Sequence, residues 1–204
     1  MSAIYNINQL TEKEAVLLKD ELVHLDKNID KKIETVMNKT GIGFVECLEY
    51  IVVNSPMLWA KVYLNWEARD YQEAILLEGK LSIQLVLRLG RRLGKTDCMC
   101  VLILWYAYTQ INKGDNGQYN ILILTPYETQ IDLIFTRLGQ LIDNSPLMLS
   151  MMARQIYHKK ELTNGTIITG LTAGASAGTN GSNNTRGQAA DLIVLDEVDR
   201  QMIA

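Results

Sequence analysis

Residues 83–100, IQLVLRLGRRLGKTDCMC, run from branched apolar side chains through a Gly-Lys-Thr into a second apolar stretch. The order predicts a buried strand over 83–89, a glycine-bounded loop, and a helix starting near Lys95. Backbone N–H groups and a helix N-terminus then face the same point, which suits an anion. The loop Gly90, Arg91, Arg92, Leu93 and Gly94 would cradle phosphate. Gly94 would let the backbone approach closely. Lys95 would reach the β- and γ-phosphates of ATP, and the Thr96 hydroxyl would ligate Mg²⁺. The general pattern G-x-x-x-x-G-K-[ST] asks for glycine at 89, where this chain has Leu89 followed by Gly90. Taken alone, Gly-Lys-Thr also fits a surface turn.

The surroundings narrow the choice. NILILT (120–125), TIITGLT (166–172) and DLIVLD (191–196) are short and rich in Ile, Val and Leu, as strands buried on both faces are. Helical patterns fall between them at 95–111, at 127–143 (opened by Thr125-Pro126, with Glu128 completing a capping box) and at roughly 147–157. Alternation of this kind predicts an α/β fold: a three-layer, mostly parallel sheet. The last strand ends in Asp196 and Glu197. An aspartate at the C-terminal edge of such a sheet can hold Mg²⁺, and a glutamate beside it can act as base toward an attacking water. Tyr71 could stack on adenine while the Gln72 amide pairs with its edge. Arg186 lies in GASAGTNGSNNTRGQ (174–188), a segment too rich in Gly, Ser and Asn to pack a core, and could stabilise charge on a γ-phosphate. Lys159 and Lys160 read as solvated charge.

The first 65 residues read as helices. Thr11 with Glu14 forms a capping-box pattern before a helix, others are expected over 31–38 and 45–53, and Ser55-Pro56 opens a further one. Asp70 is expected to cap a short helix that ends near Gly79. Over the 204 residues, 48% are hydrophobic and 21% charged, the balance of a globular chain. The formal net charge of −3 excludes a uniformly basic, nucleic-acid-coating surface but permits a local patch. Cys47, Cys98 and Cys100 form no disulfide framework, so buried thiols in a reducing compartment are expected. No apolar run reaches the roughly 20 residues of a membrane helix, so a soluble protein is expected.

Together these motifs resemble the large terminase subunit of tailed bacteriophages, the ATPase of the DNA-packaging motor. NSPMLWAKVYLNWEARDYQEAIL (54–76) is similar to the family's adenine segment. GRRLGKT (90–96) is similar to its deviant Walker A, which carries an arginine in the loop. NGTIITGLTAGASAGTNGSNNTRGQAADLIVLDE (164–197) resembles its Asn-Gly strand, flexible loop, Arg-Gly and Walker B with catalytic glutamate. The resemblance implies a RecA-like P-loop NTPase of the additional-catalytic-glutamate class. Tyr71 and Gln72 would contact the base, and Lys95 and Thr96 would bind phosphate and Mg²⁺. Asp196 would bind Mg²⁺, Glu197 would activate water, and Arg91 would sense or stabilise the γ-phosphate. Arg186 would serve as an arginine finger, including on a neighbouring subunit.

The implied function is ATP hydrolysis that drives double-stranded DNA into a procapsid in the host cytoplasm. The implied partners are portal protein, the small terminase subunit and a ring of identical subunits such as a pentamer, with no membrane. The implied organisation is an N-terminal helical region, 1–53, and a P-loop ATPase domain, 54–204, truncated after Walker B. The rest of the ATPase and the nuclease domain are expected to be absent, which would leave this piece weak or inactive by itself. Two other classes fit part of the pattern. One is a helicase-type translocase, for which Arg92 occupies an unusual position. The other is a nucleotide-binding or assembly module that does not hydrolyse.

Overall fold

The computed structural model describes residues 6–87, 90, 92–110, 113, 117–172 and 189–197. They form an α/β protein that divides into two compact units. One comprises residues up to 102 with 142–149, and the other 103–141 with the residues from 150 onward.

The first unit is helical. A 3-10 turn, Ile7–Gln9, precedes α1 (Glu12–Leu22), α2 (Ile29–Thr40), α3 (Phe44–Val53), α4 (Pro56–Leu64) and α5 (Asp70–Leu81). The starts and stops are written locally. Thr11 and Glu14 close the expected capping box: Glu14 N–H donates to Thr11 Oγ1, and Thr11 N–H donates to Glu14 Oε2. Gly41 ends α2 in the left-handed region at φ 73°. Ser55 caps α4, with Pro56 in the first turn. The core of this unit is built on Leu48, Val52, Leu58, Trp59, Tyr63 and Leu76, all fully buried. Trp59 and Tyr63 meet as tilted rings with centroids 6.0 Å apart.

Helix α5 departs from expectation at both ends. Arg69 is its N-cap, Asp70 is the first helical residue, and the helix runs through Gly79 to Leu81. Gly79 is a contact glycine rather than a stop, because a Cβ there would stand 2.7 Å from Leu102 Cδ1. The apolar run expected as the first strand of the sheet forms none over residues 83–87, and Ile83 and Val86 lie exposed. A run of branched side chains becomes a strand only where a ladder partner takes its N–H and C=O groups. No strand among the described residues pairs with this one. Its remaining positions, 88 and 89, lie outside the described residues. Helix α6 (Lys95–Thr109) begins where the Gly-Lys-Thr placed it.

The second unit holds a five-stranded sheet in the order β2-β3-β4-β1-β5. Its strands are β1 (Tyr119–Thr125), β2 (Met152–Ile156), β3 (Lys159–Leu162), β4 (Thr166–Thr172) and β5 (Leu192–Leu195). Strand β1 runs parallel to β4 from Tyr119↔Thr166 to Thr125↔Thr172, and parallel to β5 from Ile121↔Leu192 to Leu124↔Leu195. Strands β2 and β3 pair antiparallel, as do β3 and β4, so the sheet is mixed rather than mostly parallel. The hairpin occupies the region read as a helix over 147–157. Only Pro146–Ser150, α8, is helical there. Strand β2 is exposed along most of its length and therefore carries no apolar alternation that would announce it.

Helix α7 (Glu128–Asp143) packs on this sheet through glycine. A Cβ on Gly170 would stand 2.6 Å from Ile131 Cγ2 and 2.7 Å from Phe135 Cε2. Gly139 faces Lys160, whose Nζ donates to Gln155 Oε1 at 3.0 Å. Lys160 is 6% exposed, so it is a buried member of the sheet and not the solvated charge its composition suggested. The turn before β4 caps the C-terminus of α6: Asn164 Nδ2 and Thr166 Oγ1 both donate to the Ala107 carbonyl. Gln110 Nε2 returns a bond to Thr166 Oγ1 at 2.9 Å. One of α6's terminal carbonyls, that of Ala107, is thereby satisfied by side chains from the turn and from β4.

Gly170→Ala is expected to destabilise the protein by about 1–3 kcal/mol, because Ile131 and Phe135 are both buried and cannot yield freely. A denaturant midpoint indistinguishable from wild type would show that α7 does not rest on that glycine.

Candidate nucleotide-binding site

The loop residues that can be placed are Gly90 and Arg92 to Gly94. Arg92 and Gly94 both have left-handed backbones, at φ 63° and 64°. Two such residues around Leu93 turn the chain sharply before α6 begins, and the Gly94 carbonyl accepts from Cys98 N–H at 3.2 Å as the helix's first bond. Lys95 and Thr96 therefore lie in the first turn of α6, where the helix dipole favours an anion.

Helix α5 holds this loop by its backbone. Tyr71 Oη donates to the Leu93 carbonyl at 2.7 Å. Gln72 is 5% exposed, with Nε2 donating to the Gly94 carbonyl at 3.4 Å and Oε1 accepting from Arg69 N–H at 3.0 Å. A Cβ on residue 94 would stand 2.6 Å from Gln72 Nε2. Glycine is thus required twice there, by its φ and by the approach of the amide. The structure brings Tyr71, Gln72, Leu93, Gly94 and the start of α6 into one cluster. Both polar atoms of Gln72 are engaged, Nε2 with the loop and Oε1 with the start of its own helix.

Cys98 sits one turn into α6 and is fully buried. Burial pushes its thiol from 9.0 up to about 11, the Asp97 charge adds to the rise, and a hydrogen bond with Gln72 opposes it. The thiol is consequently protonated and inert at neutral pH. Cys47 and Cys100 are likewise buried and free.

The acidic pair lies in the other unit. The ladder between β1 and β5 continues one step past β5, with Asp196 N–H donating to the Leu124 carbonyl at 3.1 Å. Asp191 fixes the other end: its Oδ2 accepts from Asn120 N–H at 2.8 Å, and its N–H donates to the Asn120 carbonyl. Asp196 and Glu197 are thereby set at the C-terminal edge of the parallel strands, the end at which α/β sheets bind ligands. Glu197 is exposed and left-handed at φ 53°, and Gln130 Nε2 donates to its Oε2. Sequence reasoning passed over Gln130. Its one signal was a polar amide in the first turns of an otherwise apolar-faced α7.

In the first unit Thr96 carries a hydroxyl and in the second Asp196 carries a carboxylate, each an oxygen group of the kind Mg²⁺ takes. Among the described residues no cluster of three or more His, Cys, Asp or Glu could hold a metal ion. Also among them, no helix is long and apolar enough to cross a membrane. Arg91 and Arg186 lie outside the described residues. Comparison with known proteins yields no matching family model and no matching curated relative.

The sign of the Cys98 shift sets a pH dependence. Below pH 9.0 the thiol is protonated whether folded or not, so its contribution is complete. Between 9.0 and about 11 the unfolded thiol ionises first, and stability falls. Burial also pushes Tyr119 upward, in the same sense. Denaturation followed across this window should show a decline that is shallower in Cys98→Ala. Equal slopes in the two proteins would refute the assignment.

Proposed function

We propose that the chain is an ATPase of the viral DNA-packaging class, the large terminase subunit, with a RecA-like P-loop core. The observation that carries this reading is the brace of Tyr71 and Gln72 on Leu93 and Gly94, immediately before a helix that opens with Lys95 and Thr96. An adenine-side helix and a phosphate loop joined in this way form one nucleotide-binding element. The Asp196-Glu197 pair at the C-terminal edge of a parallel strand supplies the complementary acidic element.

In this reading Lys95 and the N–H groups of the first turn of α6 bind and orient the β- and γ-phosphates of ATP. The resemblance implies that Thr96 and Asp196 would each contribute an oxygen to Mg²⁺, which would offset phosphate charge. The Glu197 carboxylate takes a proton from the attacking water. Tyr71 stacks on the base beside Gln72, and Arg91 and Arg186 stabilise charge at the γ-phosphate. Hydrolysis drives double-stranded DNA through a portal into a procapsid in the host cytoplasm. The chain works as a member of a ring of identical subunits and alongside a small terminase subunit.

Lys95→Ala is expected to weaken ATP binding by at least about 10-fold, read by titration with a fluorescent ATP analogue, because the main phosphate cation is lost. Unchanged affinity would remove the phosphate-loop assignment. Glu197→Gln is expected to keep ATP affinity within about 2-fold while lowering phosphate release by about 100-fold or more. Near-normal turnover in that variant would exclude Glu197 as the base. Turnover stimulated by single-stranded but not double-stranded nucleic acid would favour a helicase-type translocase instead.

A further inference from the structure

We infer that Gln130 is the positioning residue for Glu197, an inference that rests on Glu197 being the base proposed above. Three observations converge on it. Gln130 stands near the start of α7, and its Nε2 donates to Glu197 Oε2. Its Oε1 is buried and has no hydrogen-bond partner among the described residues. Glu197 has a left-handed backbone although it is not glycine.

A buried carbonyl left unpaired costs stability, and so does a non-glycine residue in the left-handed region. Neither cost serves packing, because Glu197 is exposed and Gln130 is only half-buried. Both are tolerated at one contact, an amide donor on a carboxylate. A bond of that kind is stronger than one between neutral groups.

The two residues also come from independently anchored elements. Glu197 follows β5, whose register on β1 is extended by the Asp196 bond to Leu124. Helix α7 is seated by Ile131 and Phe135 against Gly170. The hydrogen bond therefore fixes an otherwise free carboxylate relative to the sheet, which a base must be if it is to meet a water in one place. The amide orientation matters: the reverse flip would set a carbonyl oxygen against the carboxylate and lose the bond.

The test combines a turnover-independent measurement with kinetics on the full chain. In a ¹H–¹⁵N spectrum, the Gln130 side-chain amide, assigned by its loss in Gln130→Leu, should move when Glu197→Ala removes its acceptor. A Gln130 amide unmoved by Glu197→Ala overturns the inference whether or not the chain hydrolyses ATP. In steady-state hydrolysis, Gln130→Ala should lower kcat by about 10-fold to 100-fold with KM held within about 2-fold. Gln130→Glu, of equal size, should fall at least as far because it sets like charges together. In a Glu197→Ala background, Gln130→Ala should change kcat no further, whereas a merely structural role would lower it again. Normal kcat in Gln130→Ala beside a defective Glu197→Gln overturns the positioning role alone. Normal kcat in Glu197→Gln overturns the base assignment and the positioning role with it.

Discussion

The unit that holds the Gly-Lys-Thr turn depends on one close approach, the Gln72 amide lying where a side chain on residue 94 would otherwise stand. Because residue 94 is glycine, α5 can reach the loop and fix its carbonyls through Tyr71 and Gln72. With those carbonyls fixed, the left-handed turns at Arg92 and Gly94 place the first turn of α6. The first N–H groups of that helix are consequently aimed before any ligand arrives. Were a ligand to bind there, a site organised in advance would spend less of its binding free energy on ordering itself.

In the sheet-bearing unit the organising element is β1. It has parallel neighbours on both sides, and its pairing with β5 extends to the peptide of Asp196. The position of the acidic pair is therefore a matter of strand register, and a register is hard to shift when a one-residue slip would turn every side chain over. Asp191 pins the opposite end of the same pairing. Asn164 and Thr166, from the turn leading into β4, close the end of α6. The Asn-Gly at 164 and 165 thus has a local role in capping, and Gly165 takes the left-handed turn at φ 87°.

Much of this was legible in the sequence, for identifiable reasons. Helices α1 to α4 carry caps, prolines and glycines whose effects are local, so their existence and most of their limits could be read directly. Strands β1 and β4 announce themselves as apolar runs because they are interior to the sheet; β5 does so although it lies at the edge, paired with β1 alone among the described strands. The hairpin β2–β3 could not be read, because an exposed edge strand has no period to detect, and the burial of Lys160 followed it out of view. The run at 83–87 misled in the opposite direction: its side chains suit a strand, but strand formation is decided by a partner and not by the segment. Gly79 looked like punctuation because a contact glycine and a stop glycine are identical on paper. At the site, the loop, the acidic pair and the Tyr71-Gln72 pair were visible as residue types. Gln130 was not, since nothing in one sequence tells an amide that holds a glutamate from one that faces water.

The brace on the turn before α6 grips carbonyl oxygens of residues 93 and 94, not side chains. Every amino acid carries that carbonyl, so only Gly94 is held to its identity by this contact. The side chains at 92 and 93 are released from maintaining the loop's form. A loop supported from outside can diverge from the usual glycine spacing and still keep its course. Arg92 in particular becomes available for duties other than shape.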